Sequence, residues 1–375
     1  MQLIKFEPTQ KKFQKAFIEF PFKLYKNTPQ WVPPLRMDQK DIFNIEKHAF
    51  YKHGEACFLM IVGDKKEIIG RMSVMVNNRY NDHFQSKAAF FYLFECVNDY
   101  SVAEKLFQAA IDWAKSKGLK SLIGPKGFTV FDGFGTLVKG FEFQAAFGQI
   151  YNPPYYQKFI ERIGFIKIWD THSGYMPSNV KFNEKIFRAA EIIKRKKGFY
   201  VKNFKTKSEL QDSVNEIQML YNASLADDAR NMPISGDEMK TMINQLLKFA
   251  NPNLIKLIYK DEKPAGFLLA FPDISNALKR TKGHLLPFGW ISIVNELKKT
   301  PCVDLSAIGI LPEFQGLGAT SLLYAEAYKS ITSNPYLEYG EFLQLRDNNP
   351  RMLLEWEAMG VEMRKLHRLY KLDFE

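Results

Sequence analysis

Ile308-Gly309-Ile310-Leu311-Pro312-Glu313-Phe314-Gln315-Gly316-Leu317-Gly318-Ala319-Thr320 reads as a strand, a proline-marked turn and the glycine-rich start of a helix. A helix N-terminus leaves backbone N–H groups unpaired and carries partial positive charge. Glycines let an anion approach those groups without a Cβ in the way. Gln315-Gly316-Leu317-Gly318-Ala319 is therefore a candidate anion cradle built of backbone.

Working outward, Val303 to Ile310 is an apolar strand, and Thr320 to Ile331 is a helix patterned by Leu322, Leu323, Ala327 and Tyr328. Before them, Leu254–Tyr259 and Pro264–Phe271 flank Lys260-Asp261-Glu262-Lys263 as a hairpin. After them come a strand at Phe342–Leu345, a helix at Pro350–Met359 stopped by Gly360, and a strand near Leu369–Phe374. The first half spells the same order. Phe58–Val62 and Ile68–Val76 form a hairpin, Ala88–Val97 a strand, and Ser101-Val102-Ala103-Glu104 a capping box that opens a helix. Ser121–Ile123 is a short strand, a helix follows Pro153-Pro154, and Gly164-Phe165 leads into another strand. One order at a period of roughly 190 residues indicates duplication. The expected units are 1–180 and 181–375, with the boundary between 176 and 200 and a helix from Asn183 to Lys197 bridging them. The expected fold class is α/β (α+β), each unit a mixed, mostly antiparallel sheet flanked by helices.

Composition fits. At 375 residues, with 46% hydrophobic residues and 32 Phe, the chain can bury two cores, which excludes a disordered class. No apolar run reaches membrane-spanning length and no leader pattern opens the chain, so a cytoplasmic location without a membrane partner is expected. Cys57, Cys96 and Cys302 are isolated, which argues for buried free thiols. The scattered histidines, His48 and His53 included, predict no metal site. A net charge of +11 calls for an anionic partner, either nucleic acid or a phosphate-rich cofactor.

The opening segment resembles the cofactor motif of the GNAT acetyltransferases, in which Gln or Arg, two residues, Gly, one residue and Gly or Ala follow a strand and a Pro-Glu-aromatic turn. Gln315 and Gly318 match; Thr320 replaces the last small residue and adds a hydroxyl. Asn349 to Gly360 is similar to the family's Asn-helix-Gly segment beside the cofactor thiol, with Trp356 where a tyrosine commonly serves as general acid. The resemblance implies a tandem GNAT-like protein whose second half binds acetyl-CoA or coenzyme A through Ile308, Ile310, Gln315, Gly316, Leu317, Gly318, Ala319, Thr320 and Asn349. It implies an N-acyltransferase in which an amine of a small molecule or peptide attacks the thioester directly, with Asn349 at the reacting end.

For the general base, period-two alternation would set Asp304 and Ser306 on one face with Ile308 and Ile310, which makes Asp304 the candidate. Tyr221, Asn222, Asp227 and Asp228, in a polar turn between helices, are alternatives. The aromatic, glycine-rich stretch 124–148 and the run after it offer Asp132, Tyr151 and Tyr155 as substrate contacts. In the first half Asn98-Asp99-Tyr100-Ser101 stands where the cradle would be, so that half is expected to bind no coenzyme A and to wall the substrate site. Two other readings stay open: a tandem transferase using aminoacyl-tRNA, with the basic charge serving RNA, and a coenzyme A binding protein without catalysis.

Overall fold

The computed structural model describes residues 1–129, 132–180, 184–225, 233–239, 247 and 249–374. Among them thirteen strands form one mixed, mostly antiparallel sheet flanked by helices. The strands are β1 (Gln2–Phe6), β2 (Gly54–Val62), β3 (Ile68–Asn77), β4 (Ala88–Cys96), β5 (Ser121–Gly124), β6 (Thr136–Lys139), β7 (Ile166–Pro177), β8 (Phe199–Asn203), β9 (Ile255–Lys260), β10 (Lys263–Pro272), β11 (Cys302–Ile310), β12 (Tyr339–Arg346) and β13 (Glu362–Asp373). Their spatial order is β1-β2-β3-β4-β5-β13-β7-β12-β11-β10-β9-β8, with β6 pairing on β13. Read inward from either edge, the two halves repeat one arrangement. The parallel neighbours β4–β5 and β11–β12 occupy matching places in it.

The halves exchange their last strands. β7, which closes the first half, lies against β12 of the second, and β13, which closes the second, lies against β5 of the first. β7 and β13 pair with each other in the middle of the sheet. β13 is longer than the sequence pattern suggested, since only Leu369 onward is strongly apolar. Its earlier part is recruited by pairing with β7 from Glu362.

Both faces of the sheet are covered, so its strands are apolar on both sides rather than alternating. In β2, Phe58 and Met60 enter one aromatic-rich core below the Lys11–Leu24 helix. Cys57, Leu59 and Ile61 enter the other, below the Tyr100–Ser116 helix. In the second half the Ala319–Thr332 and Glu184–Lys196 helices cover one face, and the Val214–Ser224 helix the other. The cap of the Tyr100–Ser116 helix is Asp99, whose Oδ1 accepts from Ser101 N at 2.9 Å, and not Ser101 as the capping-box pattern suggested. The three cysteines are buried free thiols. No described helix is long and apolar enough to cross a membrane.

Because each half's sheet is finished by the other's strand, the two should unfold together. Ending the chain after Gly360 removes β13 and bares β5, β6 and β7. The expected result is loss of the cooperative transition for the whole chain in calorimetry or denaturant titration, with no surviving folded first half.

Candidate functional site

Two equivalent places set the halves apart, the points where β4 leaves β5 and where β11 leaves β12. Pairing of β4 with β5 stops at Phe90–Ile123, and pairing of β11 with β12 stops at Leu305–Phe342. Just beyond, each inner strand carries a bulge: Leu93, at φ +52°, in β4, and Ser306, the extra residue between Leu305 and Ala307, in β11. The halves stay in register across the exit, since Val97 N donates to Ile69 O and Leu311 N to Ala265 O, both at 2.9 Å. Cys96 and Ile310 are therefore the same position. A strand diverging from its neighbour leaves backbone polar groups that need partners.

The first half answers with its own side chains. Cys96 N donates to Tyr156 Oη at 2.7 Å, and Cys96 O accepts from Tyr155 Oη at 2.8 Å and Tyr156 Oη at 3.2 Å. Tyr155, expected to touch substrate, is spent on this plug. Three residues join β4 to its helix, and the Asp99 carboxylate occupies the helix tip, accepting from Ser101 N and Oγ.

The second half has no such plug among the described residues. Leu311 to Gly318 loop out from β11, Gln315 Nε2 donates to Ile310 O at 3.0 Å, and Gly316 and Gly318 adopt φ of +74° and +94°. No side chain caps the Ala319–Thr332 helix, whose tip opens into a cavity of about 480 Å³. Ile308, Ile310, Gln315, Gly316, Gly318, Ala319, Thr320 and Asn349 line that cavity; Leu317 does not, and its carbonyl accepts from Lys197 Nζ at 3.1 Å. Gly318 is required twice, by its left-handed backbone and by Ile193, whose Cδ1 would lie 2.5 Å from a Cβ. Asn349 caps the Pro350–Ala358 helix, its Oδ1 accepting from Met352 N at 3.1 Å.

Trp356 is buried and packs edge-on against Phe342. Sequence reasoning passed over Tyr324, on the cradle helix one turn after Thr320. Tyr324 lines the cavity, its hydroxyl donates to Met352 Sδ at 3.4 Å, and burial pushes its pKa up so that it keeps its proton. The helical spacing Thr320, Tyr324 could have exposed it.

Asp304 needs a correction. The bulge at Ser306 reverses the alternation, so Val303 and Leu305 share the face of Ile308 and Ile310, and Asp304 points to the other. Asp304 does not line the cradle cavity. It is buried with Asp273 and Glu341, and burial and these carboxyls hold its pKa well above the usual range. Its place outside that cavity removes it as the base there. Lys365 forms an ion pair with Glu341 and donates to Gln144 O at 2.8 Å.

A second cavity, of about 440 Å³, is lined mostly by the first half, with Glu238 and Phe249 of the second. Asp132 and Tyr151 line it; the Asp132 carboxylate accepts from Thr129 N at 2.7 Å, and Tyr151 Oη donates to Phe141 O at 3.2 Å. Its polar end also holds the Arg71–Glu95 ion pair and His48, none of them foreseen from sequence. Burial keeps His48 neutral, and because Nδ1 accepts from Phe50 N its proton sits on Nε2. Asn222 lies in neither cavity; its amide is used on Ile234, accepting from N at 2.9 Å and donating to O at 3.1 Å. Asp227 and Asp228 lie outside the described residues. Ser173 Oγ accepts from Gln149 Nε2 at 2.9 Å and from Gln344 N at 3.1 Å, which links the wall of this cavity to β12 just past the point where β11 and β12 part. Among the described residues no group of His, Cys, Asp and Glu side chains could hold a metal ion.

No family model matches the chain. It is 24% identical to Protein YghO of Escherichia coli, covering 95% of this chain and 92% of that one. It is 23% identical to the bacterial ceramide synthase of Caulobacter vibrioides, covering 80% and 78%. Among solved structures it matches a tandem GNAT protein from the clavulanic acid biosynthesis pathway, with a TM-score of 0.58, 10% identity, and coverage of 99% and 98%. It also matches a GCN5-related N-acetyltransferase from Sphaerobacter thermophilus, with a TM-score of 0.54, 10% identity, and coverage of 99% and 95%. The chain therefore has the GNAT fold, in tandem.

Asp273 gives a pH signature. Burial raises its carboxyl to about 6, so between its ordinary value near 4 and that point the folded chain holds a proton the unfolded chain has released. This contribution to stability is present at low pH and is lost as pH rises through about 6. Asp273→Asn should therefore gain on the parent by up to about 3 kcal/mol from pH 4 to pH 7, measured by denaturant unfolding at both ends.

Proposed function

We propose that the protein is an acyl-CoA-dependent N-acyltransferase with its cofactor in the second half. The observation that carries this reading is the contrast between the halves: one strand exit is closed by Tyr155, Tyr156 and Asp99, and its equivalent opens onto a cavity lined by glycine backbone. The N–H groups from Gly316 to Thr320 would hold the pyrophosphate, and the backbone of Ile308 and Ile310 would pair with the pantetheine arm. When bound, acetyl-CoA supplies an activated acyl group to an amine. Tyr324 Oη holds the proton that the departing sulfur needs, the role that the indole of Trp356 cannot fill.

The first-half cavity is proposed as the acceptor site. Its walls include Trp31, Val32, Leu35, Ile150 and Phe249, while its polar groups gather at Asp132, His48 and Glu95. Such a shape suits an amine with an apolar tail, its head held by carboxylate and imidazole. A ceramide is an amide of a long-chain amino alcohol, so the likeness to a ceramide synthase supports that acceptor class. The Gln149–Ser173–Gln344 bridge supports placing the head of the acceptor toward the cradle.

Coenzyme A should raise the melting temperature. Thr320→Glu should keep the parent's stability, because an acid at a helix start is favourable, yet lose the response to coenzyme A through repulsion. An unchanged response would remove the cradle from the argument. Tyr324→Phe should slow acyl transfer to long-chain amines by about 100-fold while leaving coenzyme A binding intact, measured by thiol release. Stabilisation by coenzyme A without transfer to any amine would favour a binding protein instead.

A further inference from the structure

The helices Ser275–Thr281 and Gly289–Lys299 form a hairpin on one side of the molecule. Their inner residues Ala277, Leu278 and Ile293 make a small core with Leu35 and Ile274. Their outer surface is apolar as well. Leu286 and Phe288 are each 74% exposed, Trp290 52%, Ile291 41% and Val294 40%. Scattered exposed apolar residues are ordinary, but five within nine positions on one protrusion are not. Trp290, Ile291 and Val294 lie on one helical stripe, and Lys298 follows one turn later.

Along the segment that carries the patch the exposed charges are basic, and the acid nearest from another element, Glu19, is paired with Arg36 beside Lys282. Lys282, Lys298 and Lys299 are exposed beside it, and Glu296, the single acid between Ile274 and Val303, is paired with Arg280. Trp290 Nε1 donates to Pro287 O at 3.1 Å, so the indole can leave water without losing a hydrogen bond. Aromatic and aliphatic side chains rimmed by lysines match the boundary of an anionic bilayer, where rings sit among headgroups and lysines meet phosphates. A protein partner would be expected to select fewer lysines.

We propose that Leu286 to Val294 dock the protein on an anionic lipid surface. That no described helix could span a membrane does not bear on this, since a surface contact requires only a patch. Leu35, in the core behind the patch, also lines the first-half cavity, as do Val32 and Phe249 packed against that core. Docking would bring the apolar wall of that cavity beside the bilayer. The inference does not depend on acyl transfer, because its test reads binding alone.

The full chain is sedimented with vesicles of phosphatidylglycerol and phosphatidylcholine, and with phosphatidylcholine alone. Binding to the anionic vesicles is expected, weaker by about tenfold or more on neutral vesicles or in high salt. Leu286→Ser with Phe288→Ser should cut binding by about tenfold or more without lowering the melting temperature, since both side chains are already exposed. Lys298→Glu with Lys299→Glu should weaken binding to the anionic vesicles alone. The proposal is overturned if the parent does not bind, or if the serine variant binds as the parent does. It is equally overturned if the parent ignores vesicles but dimerises in solution through contacts that the serine variant breaks, which would make the patch an interface between copies.

Discussion

A backbone strand that parts from its neighbour inside a folded protein must find hydrogen-bond partners elsewhere, and this chain meets that demand in two ways. At Cys96 the partners are two tyrosines from the helix that follows Pro153-Pro154. At Ile310, the same position in the other half, Gln315 takes the carbonyl and a cavity lies alongside. A duplicated fold thus carries one exit sealed by its own side chains and one that opens onto a cavity. The sealed exit also helps to fix the N-terminal region, since Tyr25 Oη lies 3.4 Å from Tyr156 Oη.

The strand exchange ties the two halves to each other. β7 is held only by strands of the second half and β13 only by strands of the first, and β12 is tied through Ser173 of β7 to Gln149 on the wall of the first-half cavity. The buried cluster of Asp273, Asp304 and Glu341, with Lys365 from β13, sits across the same junction. Burial raises the pKa of all three carboxyls, and none of them lines either cavity, so the cluster belongs to the junction.

Much of the second half was legible because its signals are local. The glycines at Gly316 and Gly318, the turn at Pro312 and the asparagine cap at Asn349 declare their backbone roles within a few residues. What escaped sequence reasoning depends on contacts between distant segments. The bulge at Ser306 adds one residue and turns Asp304 to the wrong face, and no periodicity count can see it. Tyr155 looked like a substrate contact because an exposed aromatic and a plug read alike until the partner, Cys96 O, is known. The exchange of β7 and β13 was also invisible, since a strand's pattern tells which faces it buries and not which neighbour it chooses.

The exchange bears on how the chain comes into being. During synthesis the edge of β5 stays bare until the whole second half has been made, because its cover is β13. Pairings so remote in sequence form slowly, and an apolar edge left waiting invites association with other chains. The rate at which the second half is made therefore sets how long Ser121–Gly124 stays open to that hazard.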